Sequence, residues 1–77
     1  MNNDILSTRR KVQKIGDISN LRTLLENSTL SELDKKIVIE HYVNEKNFAY
    51  IGDEFGYSES GIKKRHKKIL SKLSQLL

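Results

Sequence analysis

The chain has 77 residues, enough for one domain with a single small core. It has no Cys, which excludes disulfides and thiolate metal sites, and no Pro, which suits a helical chain. Its net charge is +4, no apolar run approaches the roughly 20 residues of a membrane span, and no signal-peptide block follows the polar start Met1-Asn2-Asn3-Asp4, so a soluble, intracellular protein is expected.

Along the chain, Asn3 to Lys14 places Ile5, Val12 and Ile15 near helical spacing and carries the basic cluster Arg9, Arg10, Lys11, Lys14. Gly16-Asp17 is expected to break or bend this segment. From Ile18 to Asn27, the residues Ile18, Leu21, Leu24 and Leu25 form an amphipathic stripe, and Asn27-Ser28-Thr29 reads as a loop. A third helix is expected from about Ser31 to Asn44, opened by Ser31 with Asp34 in a shortened capping box. Its apolar residues Leu33, Ile37, Val38, Ile39, Tyr42 and Val43 lie nearly all round it, so other helices should surround it. Asn47 is the expected N-cap of a short helix, Phe48 to Phe55. Gly56-Tyr57-Ser58 is a tight turn, and Ser58 caps a last helix that can run to Leu76, with Glu59 favourable to its dipole.

At about 100° per residue, Ile62, Ile69, Leu70, Leu73, Leu76 and Leu77 share one face of the last helix. Ser60, Lys63, Lys64, Lys67, Lys68 and Ser71 take the opposite or flanking side. The charge is segregated in the same way: residues 1–28 are net +2, residues 29–57 net −3, and residues 58–77 net +5. One positive face of this kind suits a polyanion.

The spacing from Phe48 to about Leu73 is that of a helix-turn-helix. The second helix of such a motif packs its inner face on the first and offers its outer face to the major groove. Gly52 allows the close helix approach, Gly56 supplies the turn, Ile51 and Phe55 point inward, Tyr57 fills the turn, and Ile62 anchors the second helix.

The match extends over residues 30 to 73 without a gap. Leu30, Ile37-Val38, His41-Tyr42, Tyr50-Ile51-Gly52, Gly56-Tyr57-Ser58 and Ile62-Lys63-Lys64-Arg65 together resemble region 4 of bacterial sigma factors. That domain reads the upstream promoter element and also docks on the RNA polymerase flap. The related LuxR-type DNA-binding domain shares the tail pattern seen here as Ile69-Leu70-Ser71-Lys72-Leu73. Two positions depart from the region 4 pattern: Gly61, where the family often has Thr or Arg, and His66, where an apolar residue is common. With no room for region 2, the resemblance implies a free-standing regulator, of a kind found in phage and mobile elements, in the cytoplasm of a bacterial or phage-infected cell.

The expected fold is all-α: a compact four- or five-helix bundle containing a helix-turn-helix. Residues 1–28 form an N-terminal helical part for packing or dimerisation, residues 29–77 the region 4-like part, and residues 59–75 the recognition helix, all in one folded unit. The expected function is sequence-specific binding of double-stranded DNA by a transcriptional regulator, not catalysis. Ser60, Lys63, Lys64 and Lys67 are the expected groove contacts, and Arg65, Lys68 and Lys72 the phosphate contacts. Glu59 either accepts from cytosine or serves only as a helix-start charge. Arg9, Arg10, Lys11 and Lys14 either touch the DNA backbone or stand in solvent.

The alternative is a protein-interaction module docking on RNA polymerase or another regulator; a second copy of the chain is a further candidate partner. No cofactor, metal or small-molecule substrate is expected. His41 and His66 are 25 positions apart without a ligand pattern, and His66 is expected as a partly buried, hydrogen-bonded side chain. No nucleophile elbow or P-loop occurs. Tyr42, Phe48, Tyr50, Phe55 and Tyr57 are expected in the core.

Overall fold

The computed structural model describes the backbone of residues 2–15 and 18–76, and the side chains of residues 7–15 and 18–76. Among these, the chain forms five helices and no strand: α1 (Asn2–Lys14), α2 (Ile18–Glu26), α3 (Glu32–Tyr42), α4 (Phe48–Phe55) and α5 (Glu59–Leu73). The all-α bundle expected from the sequence is thus a five-helix one. The expected break at Gly16-Asp17, the inward turn of Ile5 and the apolar placement of Leu77 lie outside the described residues.

Local chemistry sets most helix starts. Ser31, Asn47 and Ser58 are all N-caps in extended conformation, and each side-chain oxygen accepts a backbone N–H three residues on: Asp34 N at 3.2 Å, Tyr50 N at 2.8 Å, Gly61 N at 3.0 Å. The box at Ser31 is half formed, because the Asp34 carboxylate turns to α5 instead of back to the cap. α3 ends two residues earlier than expected. Glu45 adopts a left-handed φ of 57°, and the Lys46 N–H reaches back 3.0 Å to the Glu40 carbonyl, which closes the helix.

α5 is the centre of the fold: α1, α3 and α4 all pack against it, and α3 also packs on α4. Its inner face buries Ile62, Ile69, Leu70 and Leu73. These meet Val12 of α1, Leu21 and Leu25 of α2, Leu30, Ile37 and Val38 of α3 and the turn before it, and Ile51 of α4, all in one cluster. Fully burying each aliphatic side chain contributes roughly 1.5–3 kcal/mol against conformational entropy. The apolar stripes are narrower than the helical wheel implied. Ile18 and Leu76, expected inside, are exposed: α2 buries Leu21 and Leu25 but not its first residue, and the chain leaves α5 at Leu73 through a turn. Among the described residues, no helix is long and apolar enough to cross a membrane, and no cluster of potential metal ligands occurs.

Candidate nucleic-acid interface

The α4–turn–α5 unit is fixed by backbone geometry. Gly56 caps α4 with φ 80°, a left-handed conformation that costs an L side chain about 1–2 kcal/mol. The Tyr57 N–H donates to the Gly52 carbonyl at 2.7 Å. At Gly52 a Cβ would stand 2.4 Å from the Tyr57 carbonyl oxygen, so only glycine lets the turn fold back over α4. Ser58 then starts α5 at once.

With Ile62, Ile69, Leu70 and Leu73 pinned inside, the opposite face of α5 is fixed outward. Glu59, Ser60, Lys63, Lys64, Lys67, Lys68, Ser71 and Lys72 are all exposed. Glu59 pairs with Lys63 at 3.4 Å, one turn along the same helix. Lys64, Lys67, Lys68 and Lys72 form no ion pair among the described residues. The result is a stripe of uncompensated cations along a rigid helix.

Arg65 differs from the other cations of α5. Its Nε donates to Asp34 Oδ1 of α3 at 2.6 Å, its guanidinium lies 5.4 Å from the Tyr57 ring centroid, and the side chains of Arg65 and Asp34 are only 35% and 13% exposed. The sequence carries a signal for this. Arg65 follows Ile62 by three residues and precedes Ile69 by four, so it borders the buried stripe rather than crowning the outer face.

Of the four basic residues grouped on α1, Arg9 shares a cleft with α5. It lines a cleft of about 350 Å³ with Phe48, Lys63, Lys64, His66, Lys67 and Leu70. Arg10, Lys11 and Lys14 are exposed and line neither this cleft nor its neighbour. Helix geometry explains the sorting: Thr8 and Val12 are buried, which puts Arg9 and Gln13 on the flank next to them and turns Arg10 and Lys14 away.

Under the cleft, the Tyr42 hydroxyl is 2.6 Å from His66 Nε2. His41 stacks on Phe48 at 4.3 Å and meets His66 edge-on at 5.3 Å, closing an aromatic box between α3, α4 and α5. Burial is the main cause that pushes the His66 imidazole down to about 4, with the charges of His41 and Arg9 adding to it. Burial pushes the Tyr42 phenol up to about 12, opposed by the nearby Arg9 guanidinium. His66 is the buried, hydrogen-bonded side chain expected from the sequence.

Two aromatic residues expected in the core lie outside it. Tyr50 and Tyr57 are 50% and 40% exposed. Phe48, Ile51, Gly52 and Phe55, at helical spacing, already fill the inner face of α4, so Tyr50 points out, where the Lys46 ammonium sits 4.6 Å from its ring centroid. Tyr57 is displaced outward because its backbone, not its ring, occupies the space above Gly52.

The acidic middle of the chain faces elsewhere. Glu26, Glu32, Glu40 and Glu54 line a groove of about 630 Å³ between α2, α3 and α4 that none of the α5 lysines enters. There the Asn44 amide donates to the Glu40 carboxylate and holds it below the ordinary carboxylate range, while the neighbouring Glu40 holds Glu54 above it.

Comparison with curated proteins and with solved structures gave no match. Comparison with protein families matched the family described as Sigma-70, region 4, over residues 28–75. That span takes in α3, α4 and α5 with the caps and turns that position them, and leaves α1 and α2 outside. The family is one of DNA-binding helix-turn-helix domains with a regulatory role, and a basic outer face on α5 above a glycine-locked turn is the geometry such a domain requires. The chain belongs to the sigma-70 region 4 family.

Proposed function

We propose that the protein is a transcriptional regulator that inserts α5 into the major groove of duplex DNA and reads sequence there. One observation carries this reading: Lys64, Lys67 and Lys68 stand exposed and unpaired on the face of α5 opposite a buried stripe that fixes the helix in rotation. Ser60, Lys64 and Lys67 lie within the first three turns and are assigned to base edges, with Lys63 shared between groove and Glu59. Lys68 and Lys72 are assigned to phosphates. Arg65 is assigned first to the tie with Asp34, its outward N–H groups serving an adjacent phosphate. Glu59 acts as a helix-start charge that orients Lys63.

Binding to duplex DNA measured across a salt series tests the reading. The affinity should fall with log salt at a slope of about −0.9 per phosphate contacted. A flat dependence, or no binding at low salt, would refute it.

A second reading, docking on RNA polymerase, draws on the groove between α2, α3 and α4. Leu25, Ile39 and Phe55 floor it, and Arg22, Lys35, Lys36, Glu26, Glu32, Glu40 and Glu54 surround them. An apolar floor inside a charged rim is the layout of a protein-binding patch. This groove and the α5 face share no residue, so the two readings are compatible.

A further inference from the structure

We propose that α1, which lies outside the region 4 match, is part of the DNA interface, and that Arg9 holds the phosphodiester strand bordering the groove that α5 enters. The inference rests on the DNA-binding reading above and extends it to a helix the family match does not cover.

Three observations point the same way. First, Arg9 sits where two clefts meet. On one side it joins Lys63, Lys64 and Lys67 of α5 over an apolar floor of Phe48 and Leu70. On the other it joins Lys46 and Asn47 at the start of α4, with Gln13, His41, Tyr42 and Glu45. The cations therefore form a track from the start of α4, past Arg9, to the middle of α5. The carboxylate of Glu45 is the one acid lining either cleft.

Second, Arg9 stands over a fixed part of the site. It lines one cleft with Tyr42, whose hydroxyl is 2.6 Å from His66 Nε2, so the guanidinium lies above the contact that joins α3 to α5. A guanidinium presents its N–H donors in a planar fork, which suits the paired oxygens of a phosphate. Third, the buried pair Thr8 and Val12 fixes the rotation of α1. Arg10 and Lys14 are thereby turned away and Lys11 takes the opposite flank, outside both clefts, which makes the prediction specific to one of four neighbouring cations.

A strand laid in this track is bound by its backbone, so Arg9 should strengthen binding without selecting sequence. The test compares wild type, Arg9→Gln, Arg9→Lys and Arg22→Gln on a preferred and a scrambled duplex over a salt series. Arg22 lies in the groove on α2 and serves as an equal loss of charge elsewhere. Arg9→Gln should weaken both duplexes to the same extent, roughly five- to tenfold at about 0.1 M salt, and lower the salt slope by about 0.9. Arg9→Lys should restore most of the slope, and Arg22→Gln should stay within about twofold of wild type. Thermal melts of all four separate a folding defect from a lost contact. A wild-type slope in folded Arg9→Gln, or an equal loss in Arg22→Gln, overturns the role of α1 and leaves the α5 reading intact. Absence of duplex binding by the wild type overturns both.

Discussion

The Tyr42 hydroxyl and His66 Nε2 lie 2.6 Å apart, joining α3 to α5 directly beneath the basic face. The contact satisfies two polar atoms in a site enclosed by Phe48, His41 and Leu70, and no buried side-chain donor or acceptor among the described residues lacks a partner. It also requires an unprotonated Nε2 if the hydroxyl is to donate, which ties the packing of α5 to the charge state of one histidine.

Folding stability should therefore fall on mild acidification. His66 is held near 4 in the folded chain, against 6.5 unfolded, with His41 on α3 and Arg9 on α1 both opposing its protonation. A group with a depressed folded value stabilises fully above its unfolded value; the contribution declines as pH drops from about 6.5 and is gone below about 4. The full span is worth on the order of 3 kcal/mol. Urea unfolding at pH 7 and pH 4.5, with the two histidine rings followed by NMR, checks this. A His66 ring that titrates near its ordinary value would contradict it.

The two turn glycines should respond differently to alanine. At Gly56 nothing lies within 4 Å of a new Cβ, so Gly56→Ala meets only the left-handed φ of 80° and should cost about 1–2 kcal/mol. At Gly52 the new Cβ would stand 2.4 Å from a backbone oxygen, which cannot swing aside. Gly52→Ala should cost about 3 kcal/mol or more and displace α5 against α4. Denaturant midpoints of the two variants give the ordering; equal losses would mean that the turn relaxes freely.

The Arg65–Asp34 pair should stabilise the fold modestly. It is part-exposed, so a double-mutant cycle with alanine at both positions should yield a coupling of about 0.5–1 kcal/mol, well short of a fully buried pair. Asp34→Asn should also release Arg65 and remove an acid near α5, raising duplex affinity at low salt while lowering stability. Affinity that drops in Asp34→Asn would show that the tie sets the position of α5 for binding.

Lys64 and Lys72 should separate as base reader and phosphate binder. Lys64 lies on the outer face in the first half of α5, and Lys72 in its last turn. Lys64→Ala should cost about 1–3 kcal/mol on the preferred site and relax specificity there. Lys72→Ala should weaken all duplexes alike and reduce the salt slope by about one. If the ratio of preferred to scrambled binding is unchanged in Lys64→Ala, the face is electrostatic only and docking on a protein partner becomes the stronger reading.

The sequence by itself determined the features whose causes are local. Ser31, Asn47 and Ser58 cap helices because their short side chains reach an N–H three residues on, wherever the helix sits. Gly52 and Gly56 could be read from spacing because a close approach and a left-handed turn exclude almost every other residue. The inner and outer faces of α5 followed from the 3.6-residue period. The tertiary structure decided everything that depends on which neighbour covers a face. A wheel places Arg65 on a border, but only the arrival of Asp34 from α3 turns it inward. Tyr50 and Tyr57 are aromatic enough for a core that Phe48, Ile51 and Phe55 had already filled. Arg9, Arg10, Lys11 and Lys14 are alike in composition, and only the packing of α1 on α5 sets Arg9 beside the lysines, because long-range contacts, unlike caps and turns, leave no fixed spacing in the chain.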